Sequence, residues 1–190
     1  MHTSPKSNST SWLTIPNLLS LVRIILIPIF MWAYCVKKDS TLTAVLLLAS
    51  GLTDSLDGII ARKFNMISDL GKALDPIADK LTQGTMLLCL ITRYPLMLLP
   101  FILLLIKEAS VGITSLVVIR RTGAVHGAVW HGKITTCLLY AMMVLHVLWN
   151  EIPLILSNAT IWLCSAMMLS SFVLYILRNI SFLRKGAENS

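Results

Sequence analysis

The chain has 190 residues, 56% of them apolar and only 13% charged, with a mean hydropathy of +0.77. A soluble domain carries about 25% charged residues, so this sequence lacks the polar surface that a water-facing fold, a secreted disulfide scaffold or a disordered chain requires. The net charge of +7 then points to loops held against anionic lipid headgroups, not to nucleic acid.

The predicted elements, in chain order, are those of an all-α integral membrane protein. Residues 1–16 form a polar N-terminus and a short interfacial segment, with Trp12 as its aromatic anchor. No cleavable signal peptide is read there, because the first apolar run is long enough to span and no small-x-small site ends it. A spanning helix needs about 20 predominantly apolar residues. Six runs meet that requirement: 17–36, 42–61, 73–92, 95–119, 129–149 and 159–182. Together they make a six-helix membrane domain over 17–185, followed by a polar tail at 186–190. Lys6, Arg62, Lys63, Lys72, Arg120, Arg121, Lys133, Arg184 and Lys185 collect on one side, and Lys37, Lys38 and Arg93 on the other. That bias puts both termini in the cytoplasm. Cys35, Cys89, Cys137 and Cys164 lie in apolar runs without zinc or C-x-x-C spacing, and read as packing residues. The sequon Asn158-Ala159-Thr160 lies against a predicted span, where it carries little weight.

Five acids, Asp54, Asp57, Asp69, Asp75 and Asp79, fall within 26 residues of otherwise apolar sequence. An acid near the bilayer centre costs about 2.5–3.5 kcal/mol, and like charges in one place repel. Asp54 and Asp57 are three apart, and Asp75 and Asp79 four apart, so each pair shares a helix face. Gly71 and Pro76 punctuate the region, and Pro76 is expected in the first turn of its helix. Two antiparallel helices can then set four carboxylates opposite one another. Oxygen donors with no His or Cys suit a hard cation such as Mg²⁺, Mn²⁺ or Ca²⁺, and a two-metal site for phosphoryl transfer. Two other readings use the same residues: interhelical salt bridges to Arg62, Lys63, Lys72 and Lys80, or an acidic cation pathway such as a divalent-cation transporter would use. Gly58 permits close approach beside Asp57, and Arg62 stands where a guanidinium can read phosphate.

Residues 54–79 resemble the signature of the CDP-alcohol phosphatidyltransferases, D-x2-D-G-x2-A-R-x8-G-x3-D-x3-D, with every specified position filled. The resemblance implies transfer of a phosphatidyl group from CDP-diacylglycerol to a hydroxyl acceptor with release of CMP, on two divalent ions, Mg²⁺ or Mn²⁺. It assigns Asp54, Asp57, Asp75 and Asp79 to the metals, and Asp79 also to proton removal from the acceptor. It assigns Asn17, Asp54, Gly58, Ala61, Arg62 and Gly71 to the CDP pocket, and leaves Asp69 as a solvated loop acid. It also implies a homodimer. The sequence shows no mitochondrial transit peptide and no long loops, so a multi-pass protein of a bacterial plasma membrane is expected, with a mitochondrial inner membrane as the alternative.

The acceptor is read from the flanks. Ile15-Pro16-Asn17-Leu18-Leu19, with Arg23 and Pro28, is similar to the opening of phosphatidylglycerophosphate synthases and of the related cardiolipin synthases in this family. Leu74-Asp75-Pro76-Ile77-Ala78-Asp79-Lys80 is similar to their L-D-P-x-A-D-K variant. Their acceptors are glycerol 3-phosphate and phosphatidylglycerol, with another polyol or polyol phosphate as the more distant alternative. Arg120, Arg121 and Lys133 are the candidates to hold an acceptor phosphate, with positive-inside anchoring as the plain alternative. Thr135 and Lys107 depart from the synthase pattern, and Lys107-Glu108 reads as an internal ion pair or a cavity-lining pair. His126, His131 and His146 have no partners at metal spacing and are expected in polar-cavity or interfacial roles.

Overall fold

The computed structural model describes the backbone at residues 15–63, 69–122 and 130–188, and the side chains at 18–53, 76–114, 130, 132–178 and 180–181. Within these residues the chain is helical, with no strand. The helices are α1 (Ile15–Trp32), α2 (Ser40–Lys63), α3 (Asp69–Ile91), α4 (Leu98–Thr122), α5 (Trp130–Leu148) and α6 (Leu154–Glu188). Each overlaps one of the expected apolar runs, with ends moved by a few residues.

Among the described residues, three stretches are long and apolar enough to cross a membrane: Leu18–Lys37, Pro95–Thr114 and Leu154–Arg178. Ser40–Thr53 and Gly132–Leu148 are shorter apolar helices. The six helices expected are therefore present, and three of them meet the length and hydropathy of a span. The second half of α2 carries Asp54, Asp57 and Arg62. At a rise of about 1.5 Å per residue, the 35 residues of α6 extend well beyond the roughly 30 Å of a hydrocarbon core.

The surface is apolar and the interior is seeded with polar groups. Leu21, Val22 and Ile25 of α1 and Ile102, Leu105 and Ile106 of α4 are exposed. Ser20, Thr43, Ser50, Thr82, Thr135, Ser157, Ser165 and Ser171 are buried on helix faces. Water-soluble packing has the opposite arrangement. Small hydroxyl residues at helix contacts and large apolar residues outside are how helices pack in lipid. Several hydroxyls return their proton to a carbonyl one turn back, as Thr82 does to Ala78 and Ser165 to Ile161.

The chain divides into two compact units, Met1–Gln83 and Gly84–Ser190. In the first, α1 packs on α2. The α1 end widens into a π-helical turn, Ala33–Lys37, and closes on Lys38 at φ 53. A lysine in the left-handed region costs about 1–2 kcal/mol. The reversal is held by the Lys38 and Asp39 amides, which both donate to the Ala33 carbonyl. Asp39 then caps α2, its Oδ1 accepting from the Leu42 amide at 2.9 Å. In the second unit, α6 packs on α4 and α5, and the short turn Pro95–Met97, which leads into α4, packs against α4 and α6.

Two sequence expectations are corrected here. α3 begins at Asp69, so Pro76 is inside the helix and not in its first turn. With no N–H it cannot bond the carbonyl four residues back, which weakens the helix just before Asp79. Asp69 is the first residue of α3 and not a loop acid; an acid there suits the positive end of the helix dipole. The sequon likewise falls inside α6, with Thr160 donating to the Leu156 and Ser157 carbonyls. Cys89 and Cys164 are buried as expected of packing residues, whereas Cys35 and Cys137 are exposed.

Candidate active site

Positions 54 and 57 lie on α2, and positions 75 and 79 on α3, both in the first unit. The side chains of Asp54, Asp57, Gly58, Ala61, Arg62, Gly71 and Asp75 lie outside the described residues, as does that of Asn17. Asp79 is the described member of the quartet. Its side chain is 14% exposed, and Lys80 Nζ lies 3.4 Å from Oδ2. One turn further along α3, the buried Gln83 donates from Nε2 to Oδ1 and Oδ2, at 2.9 Å each. The backbone around this pair is regular helix, and Ala78 is fully buried. Asp79 is thus a carboxylate held on a helix face by a neighbour that is itself fixed by packing. Gln83 was not singled out by sequence reasoning. Its four-residue spacing from Asp79 was the available signal.

Among the described residues, no group of three His, Cys, Asp or Glu side chains gathers. The donor set that the sequence offers, four aspartates on α2 and α3, is all oxygen and fits a hard divalent cation.

A second polar cluster occupies the interior of the other unit. Lys107 of α4 is 7% exposed. Its Nζ lies 6.0 Å from the centre of the Tyr175 ring on α6 and 3.9 Å from Glu108 Oε1. Arg178, one turn on from Tyr175, places its guanidinium carbon 5.3 Å from the same ring. Two cations therefore approach one aromatic ring, an arrangement that attracts an anion once water is excluded. Tyr175 reaches this position because α5 presents a buried glycine to it. A Cβ at Gly132 would stand 2.7 Å from the Tyr175 hydroxyl. Lys107 and Glu108 form an ion pair, one of the two readings expected for them, with the Glu108 side chain 34% exposed and the Lys107 cation also facing Tyr175. Arg178 and Tyr175 were missed by the sequence reading, although a basic residue near the end of an apolar span was a visible signal.

The expected acceptor residues are distributed around this unit. Lys133 is exposed in the first turn of α5, where its charge opposes the helix dipole, so helix stability does not account for it. Positions 120 and 121 are in the last turn of α4, and the Arg120 and Arg121 side chains lie outside the described residues. His126 and the His131 side chain also lie outside them. His146 is buried. Its Nδ1 donates to the Met142 carbonyl at 2.8 Å, and Nε2 accepts from the Ser157 hydroxyl at 2.9 Å. The Tyr94 ring stands edge-on at 4.9 Å. This is a structural bond between α5 and α6.

Comparison with known proteins places these features in a family. The family model described as CDP-alcohol phosphatidyltransferase matches residues 13–177. A protein of Aquifex aeolicus named CDP-diacylglycerol–glycerol-3-phosphate 3-phosphatidyltransferase is 32% identical, over 91% of this chain and 99% of its own length. A Rickettsia felis protein of the same name is 36% identical over 50% of this chain, and the match spans about half, 53%, of that relative's length. A Streptomyces coelicolor protein named cardiolipin synthase (CMP-forming) is 40% identical over 58% of this chain and 54% of its own. With the family model covering most of the chain, and a full-length relative at this identity, the chain belongs to the CDP-alcohol phosphatidyltransferase family.

Proposed function

We propose that this protein transfers a phosphatidyl group from CDP-diacylglycerol to the hydroxyl of glycerol 3-phosphate, giving phosphatidylglycerophosphate and CMP. Family membership supports the donor. The observation that carries the acceptor is the pair of cations, Lys107 and Arg178, on the Tyr175 ring inside the second unit. A phosphorylated acceptor brings the dianion that such a pair binds. Lys133, Arg120 and Arg121 are further candidates for the same phosphate.

In this reading Asp54, Asp57, Asp75 and Asp79 hold two divalent cations, Mg²⁺ or Mn²⁺. When bound, these supply neutralisation of the pyrophosphate and of the charge that develops on departing CMP. Asp79 accepts the proton of the acceptor hydroxyl as its oxygen bonds to the phosphorus carrying diacylglycerol, and the bond from that phosphorus to CMP breaks. Gln83 keeps the Asp79 carboxylate in one orientation for that transfer. Asn17, Gly58, Ala61, Arg62 and Gly71 form the CDP pocket. The acyl chains stay in lipid against the apolar outer faces of the helices. The full arrangement is a six-span bacterial plasma-membrane protein over 17–185, with both termini cytoplasmic and two copies assembling as a dimer.

A second acceptor, phosphatidylglycerol, is favoured by the likeness to the Streptomyces cardiolipin synthase. Purified protein given CDP-diacylglycerol with each acceptor, with products followed by mass, separates the two. Phosphatidylglycerophosphate is the expected product, EDTA stops its formation and excess Mg²⁺ or Mn²⁺ restores it. Cardiolipin as the product would transfer the assignment to the second acceptor. No CMP release with either would remove the enzyme reading.

A further inference from the structure

Glu108 is the only acid of α4, and it falls within the apolar stretch Pro95–Thr114. An ionised side chain inside a span is costly, and it faces the helix interior or an accessible cavity. The surface of α4 shows which it meets. Leu104 and Lys107 are buried, whereas Ile102, Leu105 and Ile106 are exposed. At about 100° of turn per residue, Glu108 stands between these two rows. Phe101, seven residues earlier and so on nearly the same face, meets α3: a Cβ on Gly84 would stand 3.9 Å from its ring. Glu108 is therefore on a protein-facing flank, yet its side chain is 34% exposed, against 9% for Lys107. The carboxylate borders an accessible space beside the helix contacts, not packed apolar core.

Neutralising Lys107 does not account for it. Oε1 is 3.9 Å from Lys107 Nζ, an ion-pair contact beyond the about 2.7–2.9 Å of a charge-assisted hydrogen bond. A carboxylate at this position also repels any phosphate drawn to Lys107 and Arg178, so it weakens the attraction those cations provide. What it offers in exchange is specific: an ionised carboxylate accepts hydrogen bonds and donates none. The ligand complementary to two cations with an acceptor-only group beside them has an anionic end and a hydroxyl next to it. On glycerol 3-phosphate the hydroxyl nearest the phosphate is the middle one, which does not react.

We propose that Glu108 determines acceptor specificity: with the phosphate held by Lys107 and Arg178, its carboxylate accepts a hydrogen bond from the neighbouring, non-reacting hydroxyl. The site thereby selects a phosphorylated vicinal polyol over a phosphorylated simple alcohol, because the analogue without that hydroxyl leaves the carboxylate unmatched. The inference rests on the reading of Lys107, Tyr175 and Arg178 as the acceptor-phosphate site.

The test compares glycerol 3-phosphate with 3-hydroxypropyl phosphate, which keeps the phosphate and the terminal hydroxyl and lacks only the middle one. Purified full chain in detergent is given CDP-diacylglycerol and each acceptor, and kcat/KM is measured for wild type, Glu108→Leu, Glu108→Gln and Lys107→Met. Wild type should prefer glycerol 3-phosphate about tenfold or more, the worth of a hydrogen bond to a charged group. Glu108→Leu should bring the ratio close to one by losing activity on glycerol 3-phosphate, with 3-hydroxypropyl phosphate used as well as before or better. Glu108→Gln, a neutral and weaker acceptor, should fall between. Equal use of both acceptors by wild type overturns the proposal. So does a wild-type ratio in Glu108→Leu, including the case where both acceptors suffer alike, as a merely structural role would produce. If Glu108→Leu does not fold, Glu108→Gln decides: a narrowed ratio supports the proposal and an unchanged one overturns it. Lys107→Met should raise the KM for both acceptors equally. If it does while the Glu108 variants keep the wild-type ratio, the hydroxyl assignment fails and the phosphate site stands. If Lys107→Met leaves both KM values unchanged, the phosphate site fails and the hydroxyl assignment with it.

Discussion

Gln83 and Asp79 stand one turn apart on α3, and the buried Gln83 amide reaches both oxygens of the carboxylate at 2.9 Å. A single donor bridging two acceptors fixes the plane of the carboxylate as well as its position. The carboxylate that we propose as the proton acceptor is therefore already oriented, and that orientation is supplied from within its own helix.

Replacing Gln83 by Leu keeps the volume of the buried side chain and removes the donor. We expect kcat to fall about tenfold with the KM for CDP-lipid near wild type, the loss typical of an orienting partner. A wild-type kcat would show that the Asp79 orientation is set by something else.

Asp79→Asn retains the shape of the carboxylate and cannot accept the proton. Turnover should drop by about 10²–10⁴, the usual contribution of a general base, while CDP-lipid still binds. Turnover comparable to wild type in this variant would exclude Asp79 as the base.

Lys107→Met and Arg178→Met each remove one of the two cations over Tyr175. A hydrogen bond to a charged group is worth about 1.5–3 kcal/mol, so the KM for glycerol 3-phosphate should rise about tenfold or more in each. The KM for CDP-diacylglycerol should stay unchanged. If both constants rise together, the cluster is not an acceptor site.

Gly132→Ala places a methyl 2.7 Å from the Tyr175 hydroxyl and 3.2 Å from its Cε2. The ring must move, and overpacking of this kind costs about 1–3 kcal/mol. A lowered Tm and a raised acceptor KM are expected together. Wild-type behaviour in both would mean that the ring position is not set by the glycine.

His146→Ala leaves the buried Ser157 hydroxyl without the ring nitrogen it now meets at 2.9 Å. A buried polar group deprived of its partner costs about 1–3 kcal/mol. The thermal midpoint should fall while kcat at a permissive temperature is retained. A selective loss of kcat would instead bring this end of α5 into the chemistry.

The acidic quartet was legible in the sequence because a helix converts spacing into shared faces. Acids three or four apart in an apolar run can be recognised without coordinates. The membrane class was legible because 13% charge cannot cover a water-facing surface. Helix ends were less so: the start of α3 depends on where backbone hydrogen bonding begins, and a proline that suits a first turn was found well inside the helix.

Composition and motif spacing by themselves determined the family, the membrane setting and the residues offered to metal, since each is a property of local sequence. Only the tertiary structure decided that Gln83 is buried against Asp79, that Lys107 and Arg178 share one ring, and that Gly132 makes room for it. Those relations depend on burial or on which faces of α4, α5 and α6 meet. Helix contacts of that kind are chosen by side-chain packing between segments far apart in the chain, which no local pattern encodes.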